Sequence, residues 1–573
     1  MTAYLNLIGN QWLAAEDGAR FAVDNPTTEA QFATVSAAST AQVLQACDQA
    51  AAAQRGWRKL TSIARGTHLH KLAEALVARS AQIGQALAQE TGKSLQDATD
   101  EAVYAAEVTR YHAEWARRIE GEIIPSDSPR ENLMLYREPM GVVACLIPFN
   151  YPVYTLLRKI APALIAGNTV VVRPSNNTLC SAFEIAQAVL DAGLPPGVVN
   201  IMAMGHEQAQ AMCTHPKVAM ITLTGGLNAG RRVLDYAKAN IAKVSLELGG
   251  KTPAIVAADA DLDQAANDIV RSKTTNCGQL CTAVERVYVQ ESVHDALVAK
   301  LKTLLAARAI GNRAAHPDHM GPLISATARD DILAMVQRAV AAGAQLDCGG
   351  MLPGGPGYFY PATLLTQVRQ DMEIVQDEVF GPVLCVLPYR DIDHALALAN
   401  DHQFGLASVI YSGNYQDIMQ ASNEIEAGEV YINRTPADPY QGDHAGWKRS
   451  GLGGDDGKHG MLEFTQTRLV VMKYWRNRPP AIVQIRCRSD VLPYQGGAGV
   501  PGAARSRGSP QGGGHERNQA RRPRQSPIAN TCQPIADHTF GDQVATTTAI
   551  SRSTQRRNAS AAALGGPPWG EIR

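Results

Sequence analysis

The sequence predicts an α/β protein that contains a parallel, doubly wound sheet. Its 573 residues are too many for one hydrophobic core, so two or three domains are expected. Hydrophobic residues make up 45% of the chain and charged residues 19%, which is typical of a globular protein. From residue 141 onward, continuous apolar runs alternate with helical patterns. This alternation is typical of parallel strands that are covered by helices on both faces.

Each strand of the predicted sheet is a short apolar run, and helices lie between the strands. Gly167 and Gly193 stand where helices should end, because glycine readily adopts the left-handed conformation of a helix C-cap. The predicted strands cover 142–147, 169–173, 198–202, 218–224 and 243–248, and the predicted helices cover 154–166, 181–192, 207–214 and 229–240.

The regions on either side of this sheet have their own patterns. A strand-like piece at 5–12 precedes Ala-rich helices predicted at 64–90 and 100–118. The segments 123–136 and 464–473 are extended and alternating, which suits an edge hairpin used for pairing between subunits. A second α/β region is predicted over 249–461, with strands at 286–289, 383–387 and 407–411.

Residues 476–573 differ in composition from the rest of the chain. They contain fourteen arginines and no lysine, and they are rich in Gly, Pro, Ser and Gln. Such a segment cannot bury enough surface to offset its ordering entropy, so a disordered Arg-rich tail without a catalytic role is predicted. RNA binding by the tail is an alternative, but the interleaved aromatic residues that it needs are lacking. The composition also fits DNA translated beyond, or out of, an ancestral reading frame.

Charge, hydropathy and cysteine usage exclude several classes of partner. The net charge of −1 gives no electrostatic argument for binding nucleic acid or an anionic membrane. The most apolar stretch, 142–172, is interrupted by three prolines and by Arg158 and Lys159, so no membrane span is expected. The ten cysteines are scattered, and Cys277 and Cys281 form a single CxxxC without a second pair, so no metal is expected. Free thiols and the lack of a cleavable signal pattern predict a cytoplasmic protein.

Two separate motifs offer a nucleophile and a base. Cys281 ends the run NCGQLC at 276–281, and Glu247 lies in SLELGGK at 245–251. A cysteine in a glycine-containing turn can attack covalently, and a carboxylate at the end of a strand can activate the water that releases the product. Alone, such a cysteine is most often inert core packing, and such a glutamate is usually a solvated edge residue. Together with the motifs below, the two residues favour an oxidoreductase.

The carboxyl ends of three predicted strands carry further candidates. In LTGGLNAG, at 223–230, glycines allow a pyrophosphate to approach the N–H groups of a helix start. The pattern is neither GxGxxG nor a P-loop, and a plain strand–helix turn explains it almost equally well. Arg173 to Asn176 end another strand of the same sheet, where a ribose should lie. Asn150 stands between two prolines, and its side-chain N–H could face an oxyanion, although a turn Asn is the usual explanation of such a motif in isolation.

These motifs, in this order, resemble the aldehyde dehydrogenase superfamily over roughly residues 5–475. The shared motifs are Asn25-Pro26, LELGGK at 246–251, GQLC at 278–281, EVFGP at 378–382 and KRSG at 448–451. The resemblance implies a Rossmann-like cofactor domain, a catalytic α/β domain and a small β oligomerisation hairpin, in homodimers or homotetramers. It places the NAD(P)-binding domain at 1–120 and 138–248, the catalytic domain at 249–462, and the oligomerisation strands at 121–137 and 463–475.

The resemblance also implies a role for each motif residue. Cys281 would be the nucleophile, Glu247 the general base, and Asn150 would form the oxyanion hole with the Cys281 backbone N–H. Attack on an aldehyde gives a thiohemiacetal, hydride leaves to NAD(P)+, and water activated by Glu247 hydrolyses the thioester. The cofactor-binding residues implied are Ile147, Pro148, Phe149, Arg173, Ser175, Asn176, Gly225, Gly226, Gly230, Leu248, Gly249, Glu378 and Phe380.

Two departures from the family pattern concern the cofactor. The family usually has Lys at the position of Arg173, and NAD-preferring members have Glu at the position of Asn176. Without that carboxylate, nothing repels the 2′-phosphate of NADP. Gly226 also replaces a common Ser beside the pyrophosphate. NAD is expected from family habit, and NADP use stays open.

For the substrate, 115–124 and 431–448 resemble the branch of the family that oxidises lactaldehyde or glycolaldehyde. In that branch the positions of Arg158 and His444 contact a small hydroxyaldehyde, and Thr282, beside the nucleophile, would be a third substrate-binding residue. The loop departs from the branch at Pro436, Pro439 and Asp443. A semialdehyde or another small polar aldehyde is the alternative substrate, and a non-catalytic scaffold that kept the fold is the alternative from a different class.

Overall fold

Two large sheets organise the protein, whose computed structural model describes residues 2–474. The first sheet has eight strands, and its five central strands are parallel. These are the five predicted strands, each within one residue of its expected bounds. In spatial order the sheet runs Gly451–Leu452, Lys243–Glu247, Val218–Thr224, Val142–Leu146, Thr169–Arg173, Val199–Ile201, Asn6–Ile8 and Gln11–Leu13.

The parallel order gathers the candidate residues at one edge. The carboxyl ends of parallel strands face the same way, so Glu247, Thr224, Leu146 and Arg173 end four neighbouring strands on the same side of the sheet. The helices that follow the central strands are Pro152–Ala166, Cys180–Asp191, His206–Cys213 and Leu227–Ala237.

Antiparallel strands close both sides of this sheet. On one side Leu452 pairs with Leu246 and Gly451 with Glu247, so a late segment of the chain covers the strand that carries the base motif. Phe464 is buried in the core of the same sheet. On the other side, the strand-like piece at 5–12 is a hairpin of two short strands.

The second sheet has seven strands. The nucleophile motif precedes one of them, the strand Val284–Gln290. Six of its strands are parallel, and the edge strand Gln345–Cys348 is antiparallel. The strand Thr252–Val256, which the sequence pattern did not single out, lies near the middle of the sheet. The other strands are Thr363–Thr366, Val383–Tyr389, Val284–Gln290, Ala407–Tyr411 and Glu429–Ile432, and the helices around them include Leu262–Thr274, His294–Ala306, Ala326–Ala341, Ile392–Asn400 and Tyr415–Glu424.

Two helix predictions in the N-terminal region are wrong in detail. The single helix expected over 64–90 is two helices, Ser62–Ala78 and Ser80–Thr91, because Arg79 leaves the helical region with φ −104° and ψ 7°. The helix expected over 100–118 is Leu95–Ala113, and a 3₁₀ turn follows it. Its start was missed although Ser94 caps it by accepting a hydrogen bond from the Asp97 N–H.

A third sheet has three antiparallel strands. Thr465–Lys473 pairs with Glu131–Pro139, which pairs in turn with Glu122–Pro125. The extended segment expected at 123–136 is therefore two strands joined by a turn. Ile123 is 78% exposed and Leu469 55% exposed, so this sheet presents apolar side chains to solvent.

The remaining elements are one long helix and several short strands, and one sequence prediction concerns residues outside them. The predicted disordered tail at 476–573 lies outside the described residues. Within residues 2–474, no helix has both the length and the apolar character that crossing a membrane requires. The other elements include the long helix Thr40–Trp57, the strands Thr2–Tyr4, Arg20–Asp24 and Gln31–Ser36, and the strand pair Phe404–Gly405 with Trp447–Lys448.

Candidate active site

The nucleophile motif is a sharp turn after the helix Leu262–Thr274. Asn276, Cys277 and Gly278 are all left-handed, with φ of 47°, 56° and 72°. Only glycine fits at 278, because a Cβ there would lie 2.5 Å from the Gly381 carbonyl oxygen. The turn at Gly278 therefore packs closely against the segment around residue 381, and Cys281 follows three residues later.

The base motif meets the nucleophile motif at Gly250. A Cβ on Gly250 would lie 2.4 Å from the Cys281 carbonyl oxygen, so only glycine allows the two backbones to approach this closely. The sequence motifs LELGGK and GQLC are therefore in direct contact. LELGGK lies at the end of a strand of the first sheet, whereas GQLC precedes a strand of the second sheet.

Asn150 is held beside the same turn. Its side-chain Nδ2 donates to the Gln279 carbonyl at 3.1 Å. Its own carbonyl accepts from Lys93 Nζ at 2.8 Å and from Asn276 Nδ2 at 3.2 Å. These bonds fix the Asn150 amide within the turn that presents Cys281.

Glu247 ends its strand in a buried position, with 2% of its surface exposed. Among the described residues, neither carboxylate oxygen has a hydrogen-bond partner. Burial raises the pKa of Glu247 to about 8, against the opposing effect of His444. The nearest cationic group is His444, whose Nε2 lies 3.4 Å from Glu247 Oε2. A buried carboxyl without donors is suited to accept a proton from water or from a ligand.

His444 links the base, the nucleophile and two acidic side chains. Its Nδ1 lies 2.7 Å from Glu429 Oε1 and 3.7 Å from Asp438 Oδ2. Burial and Arg158 disfavour the imidazolium, but Glu429, Asp438 and Glu247 outweigh them and hold the pKa of His444 well above its usual range.

The charge of His444 acts on the nucleophile. Burial raises the pKa of the Cys281 thiol, and the hydrogen bond and charge of His444 oppose that rise. Thr282, the next residue, is buried beside it with 3% exposure. Protonated His444 thus favours the thiolate of Cys281.

Arg158 reaches the same cluster from the helix Pro152–Ala166. It is buried, and its Nη2 lies 3.1 Å from Asp438 Oδ2 and also contacts Asp456. The Tyr154 hydroxyl donates to Asp456 Oδ2 at 3.2 Å. Asp438 therefore stands between Arg158 and His444 and interacts with both.

At the carboxyl edge of the first sheet, the glycine turn leaves backbone groups accessible. The Gly225 N–H donates to the Glu247 carbonyl at 2.9 Å. Gly226 is the N-cap of the helix Leu227–Ala237, without a side-chain cap, and the space beside it is open. Gly230 has a different role, because a Cβ there would lie 2.7 Å from a methyl carbon of Leu248.

The neighbouring strand end carries polar atoms without partners. Arg173 Nε and Asn176 Oδ1 are buried and have no hydrogen-bond partner among the described residues. The Arg173 carbonyl accepts from the Ile147 N–H at 3.0 Å, and Ser175 Oγ accepts from the Asn177 N–H at 3.3 Å. The backbone of this strand end is thus fixed, while its side-chain donor and acceptor remain available.

Glu378 contacts the base motif, and both Glu378 and Phe380 line a cavity. Glu378 Oε1 accepts from the Gly250 N–H at 2.9 Å, and its carboxylate packs so closely on Gly249 that a Cβ there would lie 2.2 Å from Oε2. Burial raises the pKa of Glu378 to about 8. The Phe380 ring meets the Phe149 ring edge-on at 5.8 Å, next to Pro148. A cavity of about 580 Å³ is lined by Phe149, Gln279, Glu378 and Phe380 among others.

The chain matches the model of the aldehyde dehydrogenase family over residues 12–470. It belongs to the aldehyde dehydrogenase family. It is similar to lactaldehyde dehydrogenase from Escherichia coli (strain K12), with 42% identity over 468 residues, 81% of this chain and 98% of that enzyme. It is also similar to D-glyceraldehyde dehydrogenase (NADP+) from Thermoplasma acidophilum, with 34% identity, 82% of this chain and 96% of that enzyme. The crystal structure of lactaldehyde dehydrogenase from Escherichia coli aligns with a TM-score of 0.81 and 41% identity, covering 82% of this chain and 100% of that one.

These findings confirm the predicted fold class, family and enzyme class. The protein is an NAD(P)-dependent aldehyde dehydrogenase, and relatives in its family use NAD or NADP. The donor and acceptor set at the sheet edge fits such a dinucleotide: an uncapped helix start at Gly226 suits a pyrophosphate, and the unpartnered Arg173 Nε and Asn176 Oδ1 suit ribose hydroxyls.

Two residues of this aldehyde dehydrogenase site have no signal in the sequence motifs. Glu429 lies in a strand, and Asp438 lies in the Pro-containing loop where the chain departs from its branch of the family. Neither belongs to a motif, so the only available signal was the departure of that loop itself. None of the described residues forms a group of three or more His, Cys, Asp or Glu side chains that could hold a metal.

Proposed function

We propose that this enzyme oxidises a small, uncharged hydroxyaldehyde, such as lactaldehyde or glycolaldehyde, to the carboxylic acid. The observation that carries the proposal is the Asp438 carboxylate between Arg158 and His444. Arg158 and His444 can donate hydrogen bonds, and Asp438 can accept them. A hydroxyl group both donates and accepts, so it suits this mixed set, whereas a carboxylate tail would be repelled by Asp438.

In the proposed mechanism, the first step is attack by the Cys281 thiolate on the aldehyde carbon. Protonated His444 favours the thiolate, as described above. The Asn150 amide and the Cys281 backbone N–H are the proposed donors to the oxygen of the thiohemiacetal. Bound NAD(P)+ supplies the hydride acceptor for oxidation to the thioester.

The second half of the proposed mechanism depends on Glu247. Its carboxylate takes a proton from water, and the resulting hydroxide attacks the thioester carbonyl to release the acid and free Cys281. Neither carboxylate oxygen has a hydrogen-bond partner among the described residues, so a water molecule can donate to one of them while His444 Nε2 lies 3.4 Å from Oε2.

For the cofactor we propose NAD, with NADP accepted as well. Asn176 carries no charge that would repel a 2′-phosphate, and Arg173 beside it is a cation. A relative whose name specifies NADP+, the D-glyceraldehyde dehydrogenase, supports keeping the second cofactor open.

We also propose a homodimer or homotetramer, assembled through the three-stranded sheet. Leu469 and Val471 are 55% and 52% exposed on the strand Thr465–Lys473, and Ile123 is 78% exposed on the other edge strand. Exposed apolar side chains on a sheet with free edges are typical of a surface that pairs with another chain.

The substrate proposal is tested with an aldehyde panel and one variant. Wild-type enzyme should give its highest kcat/KM with lactaldehyde or glycolaldehyde, and a much lower value with succinic semialdehyde. Asp438→Asn removes the repelling charge, so it should raise the ratio of semialdehyde to hydroxyaldehyde activity by on the order of 10-fold. A wild-type preference for succinic semialdehyde would instead establish the semialdehyde alternative.

A further inference from the structure

One buried carboxylate outside the family motifs joins several parts of the site. Glu285 is 2% exposed and lies in the second sheet. Its Oε2 lies 2.7 Å from Lys251 Nζ, and its Oε1 lies 2.8 Å from Lys273 Nζ. The backbone N–H of Val379 donates to Oε2 at 2.9 Å, and that of Phe380 donates to Oε1 at 3.0 Å. Each oxygen therefore accepts from one lysine and one backbone N–H.

The four donors come from three different segments. Lys251 ends the base motif, and its Nζ also donates to the Asp377 carbonyl at 2.5 Å. Lys273 lies in the last turn of the helix that leads into the nucleophile turn. Val379 and Phe380 belong to the turn that carries Glu378, and Phe380 is held in the left-handed region with φ 52°. One carboxylate thus ties this turn to the segments of the base and the nucleophile.

The carboxylate keeps its charge in the interior. Burial alone would raise the pKa of Glu285, but Lys251 and Lys273 outweigh burial and lower it to about 2. Hydrogen bonds to a charged acceptor are stronger than those to a neutral one, so the Val379 and Phe380 N–H groups are firmly held. A left-handed non-glycine residue persists only where its surroundings fix it, and Glu285 supplies that restraint at Phe380.

We propose that Glu285 is a positioning residue that fixes the turn 378–380 against Gly250 and so sets the affinity for the nicotinamide cofactor. It touches neither the reacting atoms nor the open cavity. Its effect passes through Glu378, which packs on Gly249 and Gly250, and through Phe380, which lines the cavity. The inference rests on the proposed cofactor role of Glu378 and Phe380.

The test uses a double variant that leaves the net charge of the protein unchanged. Glu285→Gln combined with Lys273→Met removes one negative and one positive charge, and leaves the amide oxygen able to accept from only one of the two backbone N–H groups. We expect the Kd for NAD+ and for NADP+, from titration calorimetry, to rise about 10-fold, the effect expected from the loss of one hydrogen bond to a charged acceptor. Hydrolysis of p-nitrophenyl acetate without cofactor requires only acylation and deacylation of Cys281, so its kcat/KM should stay within about twofold.

Controls separate this inference from general instability and from the proposed function. Glu184→Gln removes a partner of Arg79 at 2.6 Å, and because neither residue belongs to the proposed site, this variant should leave both readouts unchanged. Glu285→Asp keeps the charge but shortens the reach, so it should raise Kd to an intermediate value even if the double variant fails to fold.

Glu378→Gln decides which idea fails. If Glu378→Gln weakens cofactor binding but the folded Glu285 variants bind normally, the positioning role of Glu285 is wrong. If Glu378→Gln binds cofactor normally, the proposed role of Glu378 is wrong and the inference falls with it. Parallel loss of ester hydrolysis and cofactor binding would show that Glu285 supports the nucleophile turn instead.

Discussion

At the scale of single residues, the charges near Cys281 are set by neighbours that lie far away in the sequence. Burial raises the pKa of Glu247, whereas Glu429 and Asp438 outweigh burial at His444 and raise the pKa of its imidazole. These two environments push the two pKa values in directions that suit a base and a cation. The pKa of each residue leads to one testable prediction.

The first prediction concerns pH. Because Glu247 acts as a base only when ionised and its pKa is about 8, thioester hydrolysis should speed up as pH rises through about 8. Steady-state kcat measured from about pH 6 to about pH 10 should show this rise where hydrolysis limits turnover. Glu247→Gln should keep the pre-steady-state burst of NADH and lose turnover. Loss of the burst as well would mean that Glu247 acts on the thiol before it acts on water.

The second prediction concerns Glu429. Glu429→Gln removes a charge that holds the pKa of His444 up, so more His444 is neutral and less of Cys281 is thiolate. Alkylation of Cys281 by iodoacetamide at neutral pH should slow roughly 3- to 10-fold. Glu426→Gln is the matched control, because Glu426 pairs with Lys448 and is half exposed. Equal rates in the two variants would contradict the role of Glu429.

The third prediction concerns cofactor choice. Asn176→Glu should place a carboxylate beside the 2′-phosphate and lower kcat/KM for NADP+ relative to NAD+ by on the order of 10-fold. Asn176→Gln, which has the same added length without charge, should change the ratio little. A constant ratio in both variants would show that Asn176 lies away from that phosphate.

The motif residues of the site can be predicted from the sequence, but the charged residues that surround them cannot. Cys281, Glu247 and Asn150 each stand in a short pattern that describes a local turn or strand end, and the structure brings all three patterns together. Asp438 and Glu285 carry no such local pattern. They reach the site because distant segments fold onto it, which a single sequence does not reveal.

At the scale of elements, local patterns predicted the strands better than the helix breaks. Each central strand is a short apolar run bounded by turn residues, and that signal is complete within the run. The break at Arg79 has no glycine or proline, and apolar periodicity continues on both sides of it. The second helix packs closely on a later part of the chain, where a Cβ on Gly84 would lie 2.9 Å from Thr99 Cα, and such a long-range contact leaves no local pattern.

The fourth prediction concerns the nucleophile turn as an element. In Gly278→Ala, the alanine would have to adopt a left-handed conformation, and its Cβ would lie 2.5 Å from the Gly381 carbonyl oxygen. The turn must therefore move. We expect a loss of stability of about 2 kcal/mol or more, and a fall in Cys281 acylation on the order of 10²-fold. Gly343→Ala is the control: it is also left-handed, but its space is open, so it should cost about 1 kcal/mol without affecting acylation. Urea unfolding and burst kinetics measure the two effects.

At the scale of the whole molecule, the three-stranded sheet is the proposed route to assembly. Leu469→Glu with Val471→Glu adds charge to two exposed positions of one strand, so the subunit should stay folded while the oligomer dissociates. Light scattering after size exclusion should report a lower mass than for wild type. Met351→Glu alters a side chain that is 78% exposed elsewhere and should leave the mass unchanged. An unchanged mass in the double variant would exclude this sheet as the assembly surface.

The pairing of Gly451–Leu452 with the strand Lys243–Glu247 has a consequence for how the protein is made. The ribosome completes the base-bearing strand about 200 residues before its edge partner emerges, a delay of about 10 to 40 s at ordinary rates of synthesis. During that interval the nascent chain carries an apolar strand with an unpaired edge. Phe464, which also packs into the first core, emerges later still. The first sheet and its core are therefore complete only after Phe464 has been released, so the N-terminal half cannot complete its fold as an independent early unit.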